Sequence, residues 1–179
     1  VIRRAFQEAK TSPTGPVFVG MSANAFDDIA DVDIVASTDI AQNSSGDSSS
    51  IGEICDLLAV AARPIMIIGD RLNGGNEEAV RLAETAGIPV YGHGSFEVNF
   101  PATHPLWQGN LSLRTQQALA TIRSADLIIA VGCTVFEDFF YQSGRIIQEE
   151  TRLVHIDSDP GSIGKSEPAD IGVLAAPSM

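Results

Sequence analysis

Residues 125–141 read ADLIIAVGCTVFEDFFY, and the order of residue types in this stretch decides the fold. Leu127 to Val131 is an apolar run, rich in β-branched side chains and too short for a helix of its own. A strand buried on both faces needs such a run, and burial of that kind occurs in parallel sheets covered by helices. The run ends at Gly132, followed by Cys133, Thr134 and an aromatic and acidic patch from Phe136 to Tyr141. In open α/β sheets ligands lie outside the carboxyl ends of the strands. The loop after Val131 is therefore the first place to expect a site.

Outward from this strand, the pattern alternates. Ile65 to Ile68 is a second apolar strand, closed by Gly69-Asp70-Arg71. Asn73-Gly74-Gly75-Asn76 makes a turn into a helix whose first turn holds Glu77 and Glu78, where the helix dipole favours acids. Gly87 closes that helix as a left-handed C-terminal residue. Ile88 to Tyr91 is the next strand, with Pro89 suited to an early or edge position. Gly92 to Gln108 reads as irregular, broken by Gly94, Pro101 and Pro105, and Ser112 is the expected cap of a helix through Ala118, Leu119 and Ile122. Downstream, a helix is expected near Ser143 to Glu149, with strands at Leu153 to Ile156 and Ile171 to Leu174. Asp159-Pro160 supplies a cap and a first-turn proline between those strands.

Towards the N-terminus, Ile2, Ala5, Phe6 and Ala9 share a helical face, and Val17 to Val19 reads as a short strand. Ser50 and Glu53 form a capping box ahead of the apolar stripe Ile51, Ile54, Leu57, Leu58 and Ala61. That helix must stop before Pro64, which disfavours helical geometry in the preceding residue. Strands separated by helices predict a doubly wound, six-stranded parallel sheet of Rossmann-like α/β architecture, with a short N-terminal appendage.

Composition narrows the classes of function. The chain has 179 residues, 44% hydrophobic and 19% charged, enough apolar material for one domain with an appendage. The first helix has no proper beginning and the strand at 17–19 has no sequential partner, which suggests a piece of a longer protein. Residues 24–50 read as an acidic linker ending in the polar tract Gln42 to Ser50. The net charge is −12, and no Lys or Arg falls between Lys10 and Arg63. An acidic surface of this kind repels phosphate backbones and argues against nucleic acid as a partner. The apolar runs are strand-sized, so no membrane span is expected, and the first residues lack the apolar core of a signal peptide. Cys55 and Cys133 lie inside apolar patterns and read as reduced, buried thiols of a cytoplasmic protein. For Cys133, at a strand end, a functional thiol is the alternative.

Candidate chemistry is sparse. There is no G-x-G-x-x-G, no Walker A and no G-x-S-x-G elbow in the sequence. The turn from Gly69 to Gly75 could aim backbone N–H groups at a pyrophosphate, with Arg71 adding charge; the alternative is an ordinary strand-to-helix turn. Asp157 and Asp159 follow a strand, where acids bind ribose hydroxyls in dinucleotide folds, although Asp159 is better explained as a helix cap. Gly69, Arg71, Gly132 and Asp157 are thus the candidate cofactor-binding residues. His93, His104 and His155 show no ligand spacing with each other or with the cysteines, so no metal site is assigned. Adjacent Glu137 and Asp138 would point apart in an extended loop and make no acid/base dyad. No residue is assigned a catalytic role. Phe136, Phe139 and Phe140 read as an apolar wall or an oligomer contact.

A resemblance gathers these pieces. Pro16 to Val19, Gly69-Asp70, Gly87 to Val90, His104-Pro105-Leu106, Ser124 to Leu127, Gly132 and the stretch from Ile156 to Ala175 recur in one order in a known family. Together they resemble the central domain of thiamine-diphosphate-dependent enzymes of the acetolactate synthase, pyruvate decarboxylase and benzoylformate decarboxylase group. The resemblance implies a parent with pyrimidine-binding, central and diphosphate-binding domains, assembled as a homo-oligomer. It implies that residues 1–23 are the tail of the pyrimidine-binding domain, 24–50 a linker and 51–179 the central domain. Thiamine diphosphate and Mg²⁺ would then be held outside this chain, which by itself would catalyse nothing.

Subfamily likeness adds detail. FPATHPLWQG and VGCTVFEDFFY, at 100–109 and 131–141, are similar to stretches of benzoylformate decarboxylase. There the second stretch supplies an active-site His, and the matching position here is Phe139. On this likeness Thr134, Phe136, Glu137, Asp138, Phe139 and Phe140 would form part of a substrate-pocket wall in an enzyme acting on 2-oxo acids, by decarboxylation or carboligation. Acetolactate synthases bind FAD across the same domain with a glycine-rich stretch after the His-Pro motif. Here that stretch is Gly109 to Arg114, without the later glycines, and TVFED replaces the family's R-F-D-D-R. FAD or another nucleotide is nonetheless the alternative ligand, either in an acetolactate-synthase-type central domain or in a nucleotide-binding module without catalysis. A purely structural assembly domain is the third reading.

Overall fold

The computed structural model describes residues 1–11, 13–27, 29, 31, 45–72, 74–93, 99–137 and 145–176. The chain divides into two compact units, Val1–Gln42 and Asn43–Met179. In the first unit, α1 spans Ile2–Lys10 and buries no residue. Phe6, Phe18 and Phe26 are all exposed.

The second unit carries α2 (Ser48–Val60), β1 (Pro64–Ile68), α3 (Asn76–Ala86), β2 (Val90–Gly92), β3 (Trp107–Asn110), α4 (Gln116–Ser124), β4 (Leu127–Val131), β5 (Arg152–Asp157) and β6 (Ile171–Leu174). The six strands form one sheet in the order β3-β2-β1-β4-β5-β6, and every pairing is parallel. The order reverses between β1 and β4, the two central strands. Ile68, Val131 and Ile156 lie in register, so the ends of β1, β4 and β5 stand side by side.

Alternation along each strand feeds two cores. Met66, Ile68, Leu127, Ile129 and Val131 face one cluster with Ile54 of α2 and Ala79 and Ala83 of α3. Ile65, Ile67, Ile128 and Ala130 face the other with Ala118 and Ile122 of α4. Burial on both faces accounts for the unbroken apolar runs of β1 and β4.

Several local expectations are corrected. Val17 to Val19 forms no strand; Phe18 is 94% exposed and no ladder partner stands beside it among the described residues. The sixth strand is instead β3, which begins at the end of the stretch read as irregular and runs two residues past it. Its residues alternate, with Trp107 and Gly109 half-buried and the polar Gln108 and Asn110 exposed, as suits an edge strand paired on one side only. His104 makes the turn that delivers it: its Nδ1 accepts the Leu106 N–H at 3.2 Å. Helix α2 starts at Ser48, inside the expected linker, and Asp47 caps it by accepting the Ser50 N–H. A carboxylate at that position displaces the Ser50/Glu53 box. Thr115, not Ser112, caps α4. Residues 145–149 form turns rather than a helix, with Ile146 and Ile147 buried; Ser143 and Gly144 lie outside the described residues. Cys55 is exposed rather than buried.

Two glycines hold β1 and β4 together past their last residues. A Cβ on Gly69 would lie 2.5 Å from Cys133 Cβ and 2.7 Å from the Gly132 carbonyl oxygen. Gly132 has φ +62°, and a Cβ there would strike the Leu72 nitrogen and sit 2.5 Å from the Arg71 carbonyl carbon. Gly87, at φ +65° with open space around it, isolates the conformational part of this demand. Gly87→Ala should therefore cost about 1 kcal/mol, and Gly132→Ala about 3 kcal/mol or more because overpacking adds to the left-handed strain. Urea denaturation followed by circular dichroism measures both. Equal costs would mean that the close approach at Gly132 relaxes freely.

Candidate functional site

The carboxyl ends of β1, β4 and β5 meet at the reversal in strand order, where doubly wound sheets form their crevice. The loops that leave these ends are joined to one another. Beyond the strands, the Gly69 N–H donates to the Val131 carbonyl at 3.2 Å, the Arg71 N–H to Gly132 at 2.9 Å, and the Gly132 N–H to Ile156 at 2.9 Å. Asn99, buried, donates its carboxamide N–H to the Gly69 carbonyl at 2.8 Å.

Across this junction Arg71 grips Asp157. Its Nε donates to Oδ1 and its Nη2 to Oδ2, each at 2.8 Å, in the fork geometry that only an arginine presents to a carboxylate. Nη2 also reaches Thr134 Oγ1 at 3.2 Å. One guanidinium therefore ties the segment after β1 to the loop after β4 and to the last residue of β5. The Asp157 side chain is fully buried, while 29% of the Arg71 side chain is exposed.

Asp157 has further partners. Its Oδ1 accepts the Asp159 N–H at 2.8 Å, and Oδ2 lies 3.8 Å from His155 Nε2. His155 is buried with both ring nitrogens engaged: Nδ1 accepts the Gly164 N–H at 3.3 Å, so Nε2 carries the proton and donates to the Cys133 carbonyl at 2.8 Å. Burial pushes the Asp157 carboxyl upward, but the nearby His155 ring N–H, with the hydrogen bonds from Arg71 and the Asp159 N–H, outweighs it and holds the acid below its ordinary range. Cys133 is the opposite case. Burial, then the nearby Asp157 charge, push its thiol up to about 12, so it stays protonated and a nucleophilic role is not supported.

All four candidate cofactor-binding residues, Gly69, Arg71, Gly132 and Asp157, converge here, together with Thr134. They are turned towards one another. Of the expected pocket-wall residues, Thr134 is half-buried, Phe136 is 4% exposed and Glu137 is exposed. Phe136 has φ +54°, a strained conformation for a bulky residue. It packs edge-on against His93 at 5.6 Å between ring centroids. Glu137 pairs with Lys165 at 2.9 Å. Asp138, Phe139 and Phe140 lie outside the described residues. Asn99 and His155 were not foreseen as members of the cluster. Asn99 follows no motif, and His155 is told from any other strand residue only by its partners.

The fold and this junction define a doubly wound α/β domain of the nucleotide-binding type of architecture. The family model described as thiamine pyrophosphate enzyme, central domain, matches residues 51–178, and the chain belongs to that family. It is 32% identical over 181 residues to a probable acetolactate synthase large subunit of Methanocaldococcus jannaschii, covering 96% of this chain and 30% of that protein. Among solved structures it resembles benzoylformate decarboxylase from Polynucleobacter necessarius, with a TM-score of 0.82 and 21% identity over 99% of this chain and 34% of the other. A putative thiamin diphosphate-dependent enzyme from Mycobacterium smegmatis gives 0.81 and 22% over the same shares. At such identity the structures establish likeness of fold alone. The chain spans about a third of the length of these relatives.

The Asp157 environment has a consequence in acid. A carboxyl whose folded pKa is depressed contributes stability that is complete above its unfolded pKa and is lost as pH falls through the folded value. The contribution of Asp157 to unfolding free energy should be nearly flat between about pH 7 and pH 5 and fall below about pH 4. Asp157→Asn should be less stable at neutral pH and show a shallower acid limb in urea titrations repeated across pH. An acid limb as steep as that of the parent chain would remove Asp157 from this account.

Proposed function

We propose that this chain is the central domain of a thiamine-diphosphate-dependent enzyme acting on 2-oxo acids, where it shapes the substrate pocket and subunit contacts and carries no catalytic group itself. The family match over residues 51–178 carries the reading, and the loop held by Arg71, His93 and Lys165 gives it a location. In this reading thiamine diphosphate and Mg²⁺ are held by pyrimidine- and diphosphate-binding domains of the same parent chain. When bound, the cofactor supplies the carbanion stabilisation that 2-oxo acid chemistry needs. The present residues contribute position: Thr134, Phe136, Glu137, Asp138, Phe139 and Phe140 form part of the pocket wall.

The exposed aromatic residues Phe6 and Phe18 support residues 1–23 as the tail of the preceding pyrimidine-binding domain. An assembled oligomer is part of the proposal. Two unpaired cysteines, one of them exposed, favour a reducing compartment such as the cytoplasm. Decarboxylation and carboligation are both open to such a parent. The identity to an acetolactate synthase subunit favours carboligation as the second reading.

The test uses the full-length parent, loaded with thiamine diphosphate and Mg²⁺ and given a panel of aliphatic and aromatic 2-oxo acids. Turnover of at least one is expected. Phe139→Ala should change the ratio of kcat/KM between an aromatic and an aliphatic substrate about tenfold, the scale of a reshaped apolar pocket. An unchanged ratio would take the loop out of the pocket, and absence of turnover across the panel would overturn the assignment to 2-oxo acids.

A further inference from the structure

A parallel sheet with this strand order offers its crevice to a dinucleotide, and the acetolactate-synthase likeness implies FAD there. The described walls of the crevice do not fit such a ligand. A diphosphate is bound by free backbone N–H groups at a glycine-rich turn. Here the N–H groups of Gly69, Arg71, Leu72, Gly75 and Gly132 all donate within the chain, to the carbonyls of Val131, Gly132, Gly69, Leu72 and Ile156 respectively. Gly69 and Gly132 do not leave room for phosphate. The space in front of their Cα atoms is filled by backbone and Cβ atoms of the facing loop. The acid that would take ribose hydroxyls, Asp157, has both oxygens committed to Arg71 and one also to the Asp159 N–H. Arg71, the cation at the junction among the described residues, is thereby neutralised, while Asp159 adds a further negative charge close to it, a field that disfavours an anion.

We infer that the crevice is a clasp closed by Arg71, which excludes nucleotide and positions the loop Thr134 to Glu137. The guanidinium spans what would be the ligand's place and fastens the β4 loop through Thr134 Oγ1 to the end of β5. Two residues further on, Phe136 is held at positive φ, a conformation that persists only where its surroundings over-determine it. Arg71 is a positioning residue in this scheme. Lysine cannot replace it, because a single ammonium cannot bridge a carboxylate and a hydroxyl in the planar fork. That the positioned loop walls a substrate pocket rests on the function proposed above; the clasp and the exclusion of nucleotide do not.

The 179-residue chain, ¹⁵N-labelled, tests this without any substrate. The Arg71 Nε–H should appear as a slowly exchanging resonance, assigned by triple-resonance methods and by its loss in Arg71→Lys. ADP, NAD and FAD, each raised to about 1 mM, an affinity weaker than most specific cofactor sites show, should leave it unmoved. Saturable binding by calorimetry that shifts this resonance, or that Asp157→Asn abolishes, would overturn the inference. Saturable binding that leaves it unmoved and survives Asp157→Asn places the nucleotide elsewhere and upholds the closed crevice. Arg71→Lys should also shift the amide resonances of Thr134 to Glu137 while those of Ile65 to Ile67 stay in place. Loop resonances that do not move would refute the positioning role. Should Arg71→Lys fail to fold, Thr134→Val removes only the loop's link to the guanidinium and is read by the same resonances.

Discussion

The bidentate pair between Arg71 and Asp157 is the constraint on which the upper edge of this domain depends. Two residues 86 positions apart in sequence close a bridge over the reversal in strand order, and the third partner, Thr134, comes from the loop after β4, the strand between them. A buried carboxylate is costly unless paired and hydrogen-bonded. Here the fork of Arg71, the Asp159 N–H and the nearby His155 meet that need together. The glycines complete the arrangement, since a side chain at Gly69 or Gly132 would hold the β1 and β4 loops too far apart for Arg71 to reach.

A comparable tie exists at the other end of the sheet. The Asp126 carboxylate accepts the N–H groups of Ala62 and Arg63 at 2.8 and 2.9 Å, and Arg63 Nε donates to the Ser124 carbonyl at 2.6 Å. Slight burial pushes the Asp126 carboxyl upward, but the Arg63 and Ala62 N–H groups pull it below its ordinary value. The entries to β1 and β4 are thus fixed by a carboxylate at one edge and their exits by a guanidinium at the other. Between them lie five residues of each strand, in register and paired along their whole length.

Much of this was legible in the sequence where the signal is local. Buried parallel strands read as apolar runs because both faces are covered, and β1, β4 and β5 are found on that ground. Gly87 announces a helix end because its left-handed backbone suits glycine. The same reasoning failed where a strand depends on its neighbour. Val17 to Val19 has strand-forming residues and no partner, whereas Trp107 to Asn110 is polar and becomes a strand because β2 offers an open edge. The count of six was right with one member exchanged. The site shows the same limit. Gly69, Arg71, Gly132 and Asp157 were each recognisable as strand-end residues, but their pairing with one another is a property of the folded sheet and has no local signal in the sequence.

Membership of the thiamine-pyrophosphate enzyme family therefore combines, on the inferred clasp, with a departure from the nucleotide-binding use of its architecture. In that inferred clasp one ion pair, Arg71 with Asp157, positions the loop after β4. A double-mutant cycle tests this most directly: the unfolding free energies of the chain, Arg71→Ala, Asp157→Asn and the double variant, at neutral pH. A coupling of about 2 kcal/mol is predicted, on the scale of contacting residues in one hydrogen-bonded network. A coupling below about 0.5 kcal/mol, the scale expected of independent sites, would contradict the claim that this pair holds the strand ends together.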